Sequence, residues 1–349
     1  MTTAPFPADT TAGPRQTLGS MLREVEQGLV TFLADERSRW STVDSRAAIP
    51  VQAVTTLVEA GGKRLRPAFC LSGYLAAGGE PGERALRAAI ALELLHVSAL
   101  LHDDVMDDSD ERRDMPTAHA MHGAIHRSNE WWGESRRYGE SVAILAGDLA
   151  WAYADYLMAD LSPEVSRQWL ELRAELISGQ MLDIATAAGY TADPELARHI
   201  AVVKSGRYTI HRPLVLGSTL AGRTDLAGVF EVYGEALGEA FQLRDDLIDA
   251  FGDGRTSGKP AGLDFKQHKM TVLLTLAMEQ DDAIHDLVEN CEFGLLRERL
   301  ISVGVPGKVE ARIGELVQRA QRTIGEAPLD PGWRRQLCTM ATQVAHRDN

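Results

Sequence analysis

Residues 84–119 read RALRAAIALELLHVSALLHDDVMDDSDERRDMPTAH. No glycine or proline interrupts the chain from Glu83 to Met115, and the first part is rich in alanine and leucine, so it predicts one long helix. The middle of this helix is apolar nearly all round, which is typical of a helix buried by other helices. Five aspartates between positions 103 and 110 follow the apolar run directly. The stretch therefore indicates a helical core with negative charge gathered at one end of a central helix.

Helical patterns also dominate the rest of the 349 residues, and no convincing strand pattern interrupts them. A second long helix is predicted through residues 229–251, ending near Gly252. Further helices are predicted at Met21–Trp40, Ser141–Asp160, Glu164–Ala187, Pro194–Gly222, Thr271–Glu279 and Lys308–Thr323. No linker or repeat divides the chain, so we expect an all-α fold with one domain at residues 21–349. Residues 1–20 are expected to form a flexible leader.

Composition excludes several classes of protein. The net charge of −14 argues against non-specific nucleic-acid binding. Three scattered cysteines, Cys70, Cys291 and Cys338, fit a reducing cytoplasm and no disulfide framework. The N-terminus lacks the pattern of a signal peptide, and no window of about 18 uninterrupted apolar residues predicts a membrane span.

Two aspartate clusters of the form DDxxD suggest a metal site. Asp103 and Asp107 are four residues apart and so share one helix face, and Asp245 and Asp249 repeat this spacing far downstream. Like charges at this spacing repel each other, and each cluster ends an apolar helix. Paired carboxylates at a cavity mouth suit Mg²⁺, which takes oxygen ligands together with substrate phosphate oxygens. Solvated acids on a helix are the alternative for a single cluster, and two copies make it much weaker.

Clusters of basic residues could bind the phosphate groups that accompany such a metal site. The turn GGKRLRP, at 61–67, presents Lys63, Arg64 and Arg66 ahead of a proline, and arginine binds diphosphate with forked hydrogen bonds. A basic loop at a helix start would look the same. Isolated cations recur downstream, namely Arg112, Arg113, Lys204, Lys259 and Lys269. An acidic chain arranged in this way suits two phosphorylated substrates.

The motifs resemble those of trans-isoprenyl diphosphate synthases. The turn at 61–67, the first acid cluster, KSGRYT at 204–209, FQLRDDLID at 241–249 and GKPAGLDFKQHKMT at 258–271 occur in that family's order, over roughly residues 50 to 275. The resemblance implies an antiparallel helical bundle of the isoprenoid synthase type around a central cavity. It also implies a homodimer with an active site inside each subunit.

The resemblance further implies Mg²⁺ as cofactor, three ions per active site, and two substrates, isopentenyl diphosphate and an allylic diphosphate. By position in the motifs, the implied metal ligands are Asp103, Asp107 and Asp245, supported by Asp104, Asp246 and Asp249. The implied clamp on the allylic diphosphate is Arg112, Lys204, Lys269 and Lys259. Isopentenyl diphosphate is assigned to Lys63, Arg66, His96 and Arg113, and Ser205 and Gln242 would direct oxygen dipoles at the allylic cation.

The sequence departs from the family pattern at three places. Asp114 stands where glycine commonly follows the arginine pair, Ser205 where threonine is common, and DFKQHK, 264–269, where a Glu-Gly pair usually precedes the final lysine. None of these removes a required charge.

The length of the prenyl product depends on the side chains of the helix that precedes Asp103. Ala99 and Ser98 lie four and five residues earlier, roughly 5–8 Å deeper, and both are too small to plug a tunnel. Leu95, one turn further, is a candidate floor or plain core. No two-residue insertion separates the aspartates. The resemblance therefore favours a C20 product, geranylgeranyl diphosphate, with farnesyl or longer polyprenyl diphosphates as alternatives.

Two other classes of protein stay open. A class I terpene cyclase would share the fold and the first cluster but would carry a different second metal motif and no need for GGKRLRP. A non-catalytic regulatory subunit would bind diphosphate without turnover.

Overall fold

The structure is a computed structural model that describes residues 13–252 and 262–346. The α-helices in chain order are α1 Pro14–Ser41, α2 Ile49–Glu59, α3 Leu65–Ala76, α4 Glu83–Met106, α5 Ala118–Ser128, α6 Ser135–Leu157, α7 Pro163–Ala188, α8 Pro194–Ile200, α9 Arg212–Leu220, α10 Ala227–Phe251, α11 Leu263–Lys266, α12 Val272–Met278, α13 Ala283–Glu289, α14 Phe293–Ser302, α15 Val305–Gly325 and α16 Pro331–Ala345. A π-helical segment, Ala201–His211, joins α8 to α9, and short 3₁₀ turns lie at Ser45–Ala48 and Thr224–Leu226. The predicted all-α fold is confirmed.

The predicted end of the flexible leader, at residue 20, is wrong. Helix α1 begins at Pro14, and Leu18 is already buried against the bundle. A proline in the first turn is preorganised for a helix, and Leu18, Met21 and Val25 follow the spacing of one buried face. The first 20 residues are rich in glycine and threonine, and from that composition we did not predict a helix there. Residues 1–12 of the predicted leader lie outside the described residues.

Helix α4 lies at the centre of the bundle and packs chiefly against α6, with α3 and α1 beside it. Its length and composition alone would let it cross a membrane, but 67% of its most apolar window is buried inside this bundle. That burial is what the all-round apolar pattern predicts for a core helix. The first aspartate cluster is therefore carried to the end of the bundle by a long, largely buried helix.

A glycine contact brings the second cluster's helix against the π-helical segment. A Cβ at Gly238 of α10 would lie 2.2 Å from the Cα of Gly206, so only glycine allows this approach. Lys204 and Ser205 directly precede Gly206, whereas Gln242 and Asp246 follow Gly238 by one and two helical turns. All four side chains line one cavity beside this contact.

Within the described residues the β structure is one small hairpin. Glu111–Arg112 pairs antiparallel with Met115–Pro116, and the two turn residues, Arg113 and Asp114, have φ values of 55° and 59°. A two-residue turn with both φ values positive is the type I′ geometry, which favours Asn, Asp and Gly. Asp114 therefore occupies a left-handed position that glycine would also satisfy, which accounts for this departure from the family pattern.

Candidate active site

Each aspartate of the first cluster faces a cation at the end of α4. Arg112 Nε donates to Asp104 Oδ1 at 2.7 Å, and Lys269 Nζ donates to Asp107 Oδ2 at 2.7 Å. Lys204 Nζ lies 3.8 Å from Asp103 Oδ1. The repulsion expected among these carboxylates is thus relieved by three cations from three different parts of the chain.

Asp103 is held ionised by its surroundings. Burial alone would raise the pKa of Asp103, but Lys204, Lys269 and Arg112 outweigh it and lower the pKa below its ordinary value. Gln180 Nε2 donates to Asp103 Oδ1 at 3.0 Å and fixes the orientation of the carboxylate.

Lys204 lies between two acids from different helices. Its Nζ donates to Asp183 Oδ2 of α7 at 2.6 Å while lying close to Asp103 of α4. Gln180 and Asp183 are three residues apart and so share one face of α7. From the sequence, Asp183 in GQMLD was an acid that could line the cavity or have a structural role, and Gln180 was not singled out.

The second cluster lies on the last turns of α10 and is partly buried. Asp246 Oδ1 accepts a hydrogen bond from Gln242 Nε2 at 2.8 Å, while its buried Oδ2 has no hydrogen-bond partner among the described residues. Burial, followed by the charge of Asp264, raises the pKa of Asp246 well above its ordinary value, and Asp245 and Asp249 add to this. A cation near these oxygens would relieve that energetic cost.

The segment after α10 adds an acid and ties the two clusters together. The backbone N–H of Asp264 donates to Asp249 Oδ2 at 3.2 Å, and five residues later Lys269 reaches Asp107 of the first cluster. Burial would lower the pKa of Lys269, but Asp264, Asp107 and Asp103 raise it overall. The role of Asp264 was missed, because it falls outside both DDxxD motifs. Lys259, assigned to the same substrate, lies outside the described residues.

The donor set fits hard divalent cations, although no ready-made cage exists. In the described ranges, no three His, Cys, Asp or Glu side chains converge closely enough to hold a metal alone. Carboxylate oxygens on two helices, one of them unpartnered, suit Mg²⁺ that takes the rest of its ligands from water and a diphosphate.

Two cavities meet at the π-helical segment. A polar cavity of about 110 Å³ is lined by Asp183, Gln242, Asp246, Asp264 and Lys269, together with Lys204 and Ser205. A larger and more apolar cavity of about 320 Å³ shares Lys204 and Ser205 with it, and continues past Asp103 along α4, α6 and α7. Lys204 and Ser205 therefore lie at the junction of a charged compartment and an apolar one.

The apolar cavity contacts only one of the three predicted chain-length positions. Ala99 lines it, whereas Ser98 and Leu95 do not and are fully buried. Ala99 is four residues before Asp103 and shares its face, whereas Ser98 is rotated by about 100° from Ala99 around the helix axis. Leu95 is one turn deeper than Ala99 and belongs to the buried core. The lining includes two large aromatic side chains, Tyr208 and Trp151 of α6, and the Arg173 guanidinium carbon lies 5.5 Å from the Trp151 ring centroid.

The two arginines of the basic turn, Arg64 and Arg66, lie in different environments. Arg64 is left-handed at φ 49° and turns inward, where it pairs with buried Glu93 and donates to the Val58 carbonyl at 3.0 Å. Lys63 stays exposed, and Arg66 lies at the cavity wall. Glu93, which the sequence analysis overlooked, thus anchors the turn so that Lys63 and Arg66 can serve a ligand.

Arg113 and His96 complete the basic side. Arg113 donates to the Gly61 carbonyl of the basic turn, and burial, with Arg112 and Arg64 nearby, lowers its pKa. Burial lowers the pKa of His96 well below its ordinary value, and Arg66 and Arg113 add to this, so the imidazole is neutral. Crowded cations around a neutral imidazole form an environment that an anion would stabilise.

Comparison with known proteins shows the family. The polyprenyl synthetase profile matches residues 48–293. A short chain isoprenyl diphosphate synthase of Methanothermobacter thermautotrophicus is 31% identical over 301 residues, which cover 83% of this chain and 82% of that one. A nonaprenyl diphosphate synthase of Mycobacterium tuberculosis is 34% identical over 227 residues, which cover 64% of this chain and 62% of that one.

A solved structure agrees with the fold throughout. Geranylgeranyl pyrophosphate synthase from Corynebacterium glutamicum, complexed with isoprenyl diphosphate and magnesium, superposes with a TM-score of 0.88 at 34% identity. The match covers 95% of this chain and 99% of that one. Fold and relatives together define a prenyltransferase with the all-α isoprenoid synthase fold. The chain belongs to the polyprenyl synthetase family of isoprenyl diphosphate synthases, which uses a divalent metal.

Proposed function

We propose that this chain condenses isopentenyl diphosphate head-to-tail with allylic diphosphates (dimethylallyl, geranyl or farnesyl) and releases geranylgeranyl diphosphate. The observation that carries this proposal is the junction at Lys204 and Ser205, where a compartment lined by acids and lysines meets an apolar cavity. An allylic diphosphate has the same division into a charged head and an apolar tail.

The allylic head is assigned to the charged compartment. Mg²⁺ would be held by Asp103, Asp107 and Asp245. Their neighbours Asp104, Asp246 and Asp249 would support these ligands. Bound Mg²⁺ would stabilise the charge that develops on the departing pyrophosphate. Lys204, Lys269 and Arg112 are in place to exchange their present carboxylate partners for diphosphate oxygens. Ser205 and Gln242 border the same compartment, where their oxygens can face the allylic cation.

The second substrate is assigned to the basic side. Lys63 and Arg66 belong to the Gly61–Arg66 turn, and Arg113 donates to the Gly61 carbonyl of that turn. His96 lines the same cavity as Arg66. A neutral imidazole can donate one hydrogen bond to a diphosphate without adding charge. Pyrophosphate leaving the allylic side is the nearest base for the proton that each addition releases.

The C20 product is supported by the small side chain of Ala99, which leaves the cavity open one turn below Asp103. It is supported also by the name of the Corynebacterium relative, a geranylgeranyl pyrophosphate synthase. Trp151 is the side chain we assign to the end of the tunnel.

Dimerisation is proposed through α6 and α7. Leu170, Ile177 and Met181 of α7 are more than half exposed and share one helix face, and Leu145 of α6 is also more than half exposed. Ile177 and Met181 also line the apolar cavity, so a second copy on this face would cover the outer wall of the tunnel. Light scattering of Leu170→Asp should show a monomer, whereas Val30→Asp, equally apolar and exposed on α1, should stay dimeric.

The deciding experiment is product analysis. Purified protein, Mg²⁺ and labelled isopentenyl diphosphate are mixed with each allylic primer in turn, and the dephosphorylated products are resolved by length. A dominant C20 alcohol supports the proposal, and a C15 or longer end point would revise the assigned tunnel end. Diphosphate binding without condensation would instead support a regulatory subunit, and cyclic hydrocarbons formed from an allylic substrate alone would indicate a cyclase.

A further inference from the structure

We propose that Tyr208 is a binding residue for isopentenyl diphosphate, with its ring holding the Arg66 guanidinium in place and its hydroxyl donating to a diphosphate oxygen. This inference rests on the proposed function, because it assigns a further residue to the second substrate. Tyr208 belongs to none of the predicted sites.

The contact between Tyr208 and Arg66 is the first observation. The guanidinium carbon of Arg66 lies 4.2 Å from the centroid of the Tyr208 ring, well within the range of a cation–π interaction. The Tyr208 ring is also 6.3 Å from the ring of His96, and Tyr208 itself is only 3% exposed. A flat ring against a guanidinium restricts its rotation and orders its N–H groups for a planar or forked ligand.

The second observation is a set of buried polar atoms without partners. Among the described residues, Arg66 Nε, His96 Nδ1 and the Tyr208 hydroxyl are each buried and make no hydrogen bond. All three side chains line the same cavity of about 320 Å³. Buried polar groups are normally paired, so three unpaired ones at one wall indicate a polar ligand there.

Tyr233 gives the contrast within the same chain. Its ring is completely buried in the core, and its hydroxyl donates to the Leu337 carbonyl at 2.9 Å. A tyrosine with only a packing role therefore finds a backbone acceptor in this fold, as buried tyrosines usually do. The Tyr208 hydroxyl lacks such an acceptor.

The placement of Tyr208 gives the third observation. Lys204 and Tyr208 lie four residues apart in the π-helical segment, and both side chains reach the apolar cavity. Segments of π-helix occur frequently at functional sites. One segment thus serves the allylic head through Lys204 and the second diphosphate through Tyr208. Burial raises the pKa of the Tyr208 phenol to about 12, which keeps the hydroxyl proton available for donation.

Two variants separate the ring from the hydroxyl. Tyr208→Phe keeps the ring and removes the donor, so the KM for isopentenyl diphosphate should rise about tenfold. Tyr208→Leu also removes the face that holds Arg66, and the KM should rise by about a further fivefold. The KM for farnesyl diphosphate should stay within about twofold of the wild-type value in both variants, since Tyr208 packs against Arg66 and His96 of the basic side.

A double-mutant cycle tests the coupling to Arg66. In an Arg66→Lys background the planar partner is gone, so replacing Tyr208 by Leu should raise the KM by a smaller factor than in the wild-type background. The control is Tyr233→Phe, which also removes one buried hydroxyl and should lower the melting temperature without changing either KM.

The outcomes distinguish this inference from the proposed function. If the wild type condenses the substrates and Tyr208→Phe and Tyr208→Leu leave the KM for isopentenyl diphosphate unchanged, Tyr208 has no binding role. Equal rises in both KM values would show a general packing role and would also overturn the inference. Absence of both condensation and calorimetric binding of isopentenyl diphosphate in the wild type would overturn the proposed function itself.

Discussion

Lys269 Nζ lies 2.7 Å from Asp107 Oδ2, although the two residues are 162 positions apart in the chain. Gln267 strengthens the same link, because its Nε2 donates to the Asp107 carbonyl at 3.2 Å. The segment after the second aspartate cluster is thus fastened to the first cluster by a charge-assisted hydrogen bond. Without a bound diphosphate, the lysine neutralises the carboxylate that a metal is proposed to share.

The Lys269–Asp107 pair predicts a selective loss of activity in Lys269→Ala. The variant loses a cation that faces the allylic head, so we expect kcat/KM for the allylic substrate to fall about a hundredfold, with a smaller change in the KM for isopentenyl diphosphate. Steady-state kinetics with each substrate varied in turn measures this. Lys266→Ala, an exposed lysine on the same segment, is the matched control and should behave as wild type.

The unpartnered oxygen of Asp246 predicts opposite effects on stability and activity. Asp246→Asn removes a buried charge next to other carboxylates, so the metal-free variant should melt about 2 °C higher than wild type. Its turnover should fall about 10–100-fold, because the supporting oxygen for the metal is weakened. Differential scanning fluorimetry with and without Mg²⁺ and pyrophosphate gives the comparison.

Asp110→Asn is the control for that variant, since Asp110 is exposed on the hairpin side of the first cluster. It should show neither a raised melting temperature nor a loss of turnover. A lower metal-free melting temperature for Asp246→Asn would count against a strained carboxylate at this position.

Trp151 predicts a change of product length. If its ring ends the tunnel, Trp151→Ala should shift the main product beyond C20, because the apolar cavity then extends past α6. Leu95→Ala is the informative comparison, because Leu95 belongs to the fully buried core and outside the cavity lining. That variant should lose about 2–5 kcal/mol of stability and keep its product length. Longer products from Leu95→Ala would falsify our placement of the tunnel end.

The neutral state of His96 predicts a pH effect on stability. The pKa of His96 is lowered in the folded protein, so the unfolded chain takes up a proton that the folded chain does not as the pH falls through about 6.5. The free energy of unfolding of the wild type therefore falls at low pH. His96→Gln keeps an uncharged donor and does not show this fall. The stability of His96→Gln relative to wild type should rise by about 1.4 kcal/mol per pH unit below about pH 6.

Urea denaturation of both proteins at pH 7.5, 6.5 and 5.5 measures that difference. A constant difference across the series would mean that the pKa of His96 is not lowered in the folded protein. The variant should also keep most of the affinity for isopentenyl diphosphate at pH 7.5, since an amide N–H replaces the imidazole N–H.

Most of the fold could be predicted because helical periodicity is a local signal. The long helix at 229–251 ends at Phe251, beside the predicted stop at Gly252, and the helix predicted over Glu164–Ala187 is α7, Pro163–Ala188. The start of α1 could not be placed from local composition, because what makes residues 14–20 helical is the packing of Leu18 on the bundle.

The proximity of acids and cations could be predicted where a motif fixed the spacing, and it could not be predicted where the partner came from another helix. The two aspartate clusters and their cations were identified from the sequence, and Arg112, Lys204 and Lys269 do lie against the first cluster. Asp264 and Tyr208 were missed because only tertiary packing brings them to the site. Ser98 was predicted from its depth alone, whereas the rotation about the helix axis decides which side chains line the cavity, and Ser98 is outside that lining.

The hairpin turn at Arg113 and Asp114 has a consequence for how the two substrates influence each other. Arg112 contacts the acid cluster on one side of this turn, and Arg113 contacts the basic turn on the other. A ligand that orders one arginine would therefore restrain the backbone of its neighbour, and this would link occupancy at the two proposed diphosphate positions. Such linkage is reciprocal, so each substrate should tighten the binding of the other by the same factor.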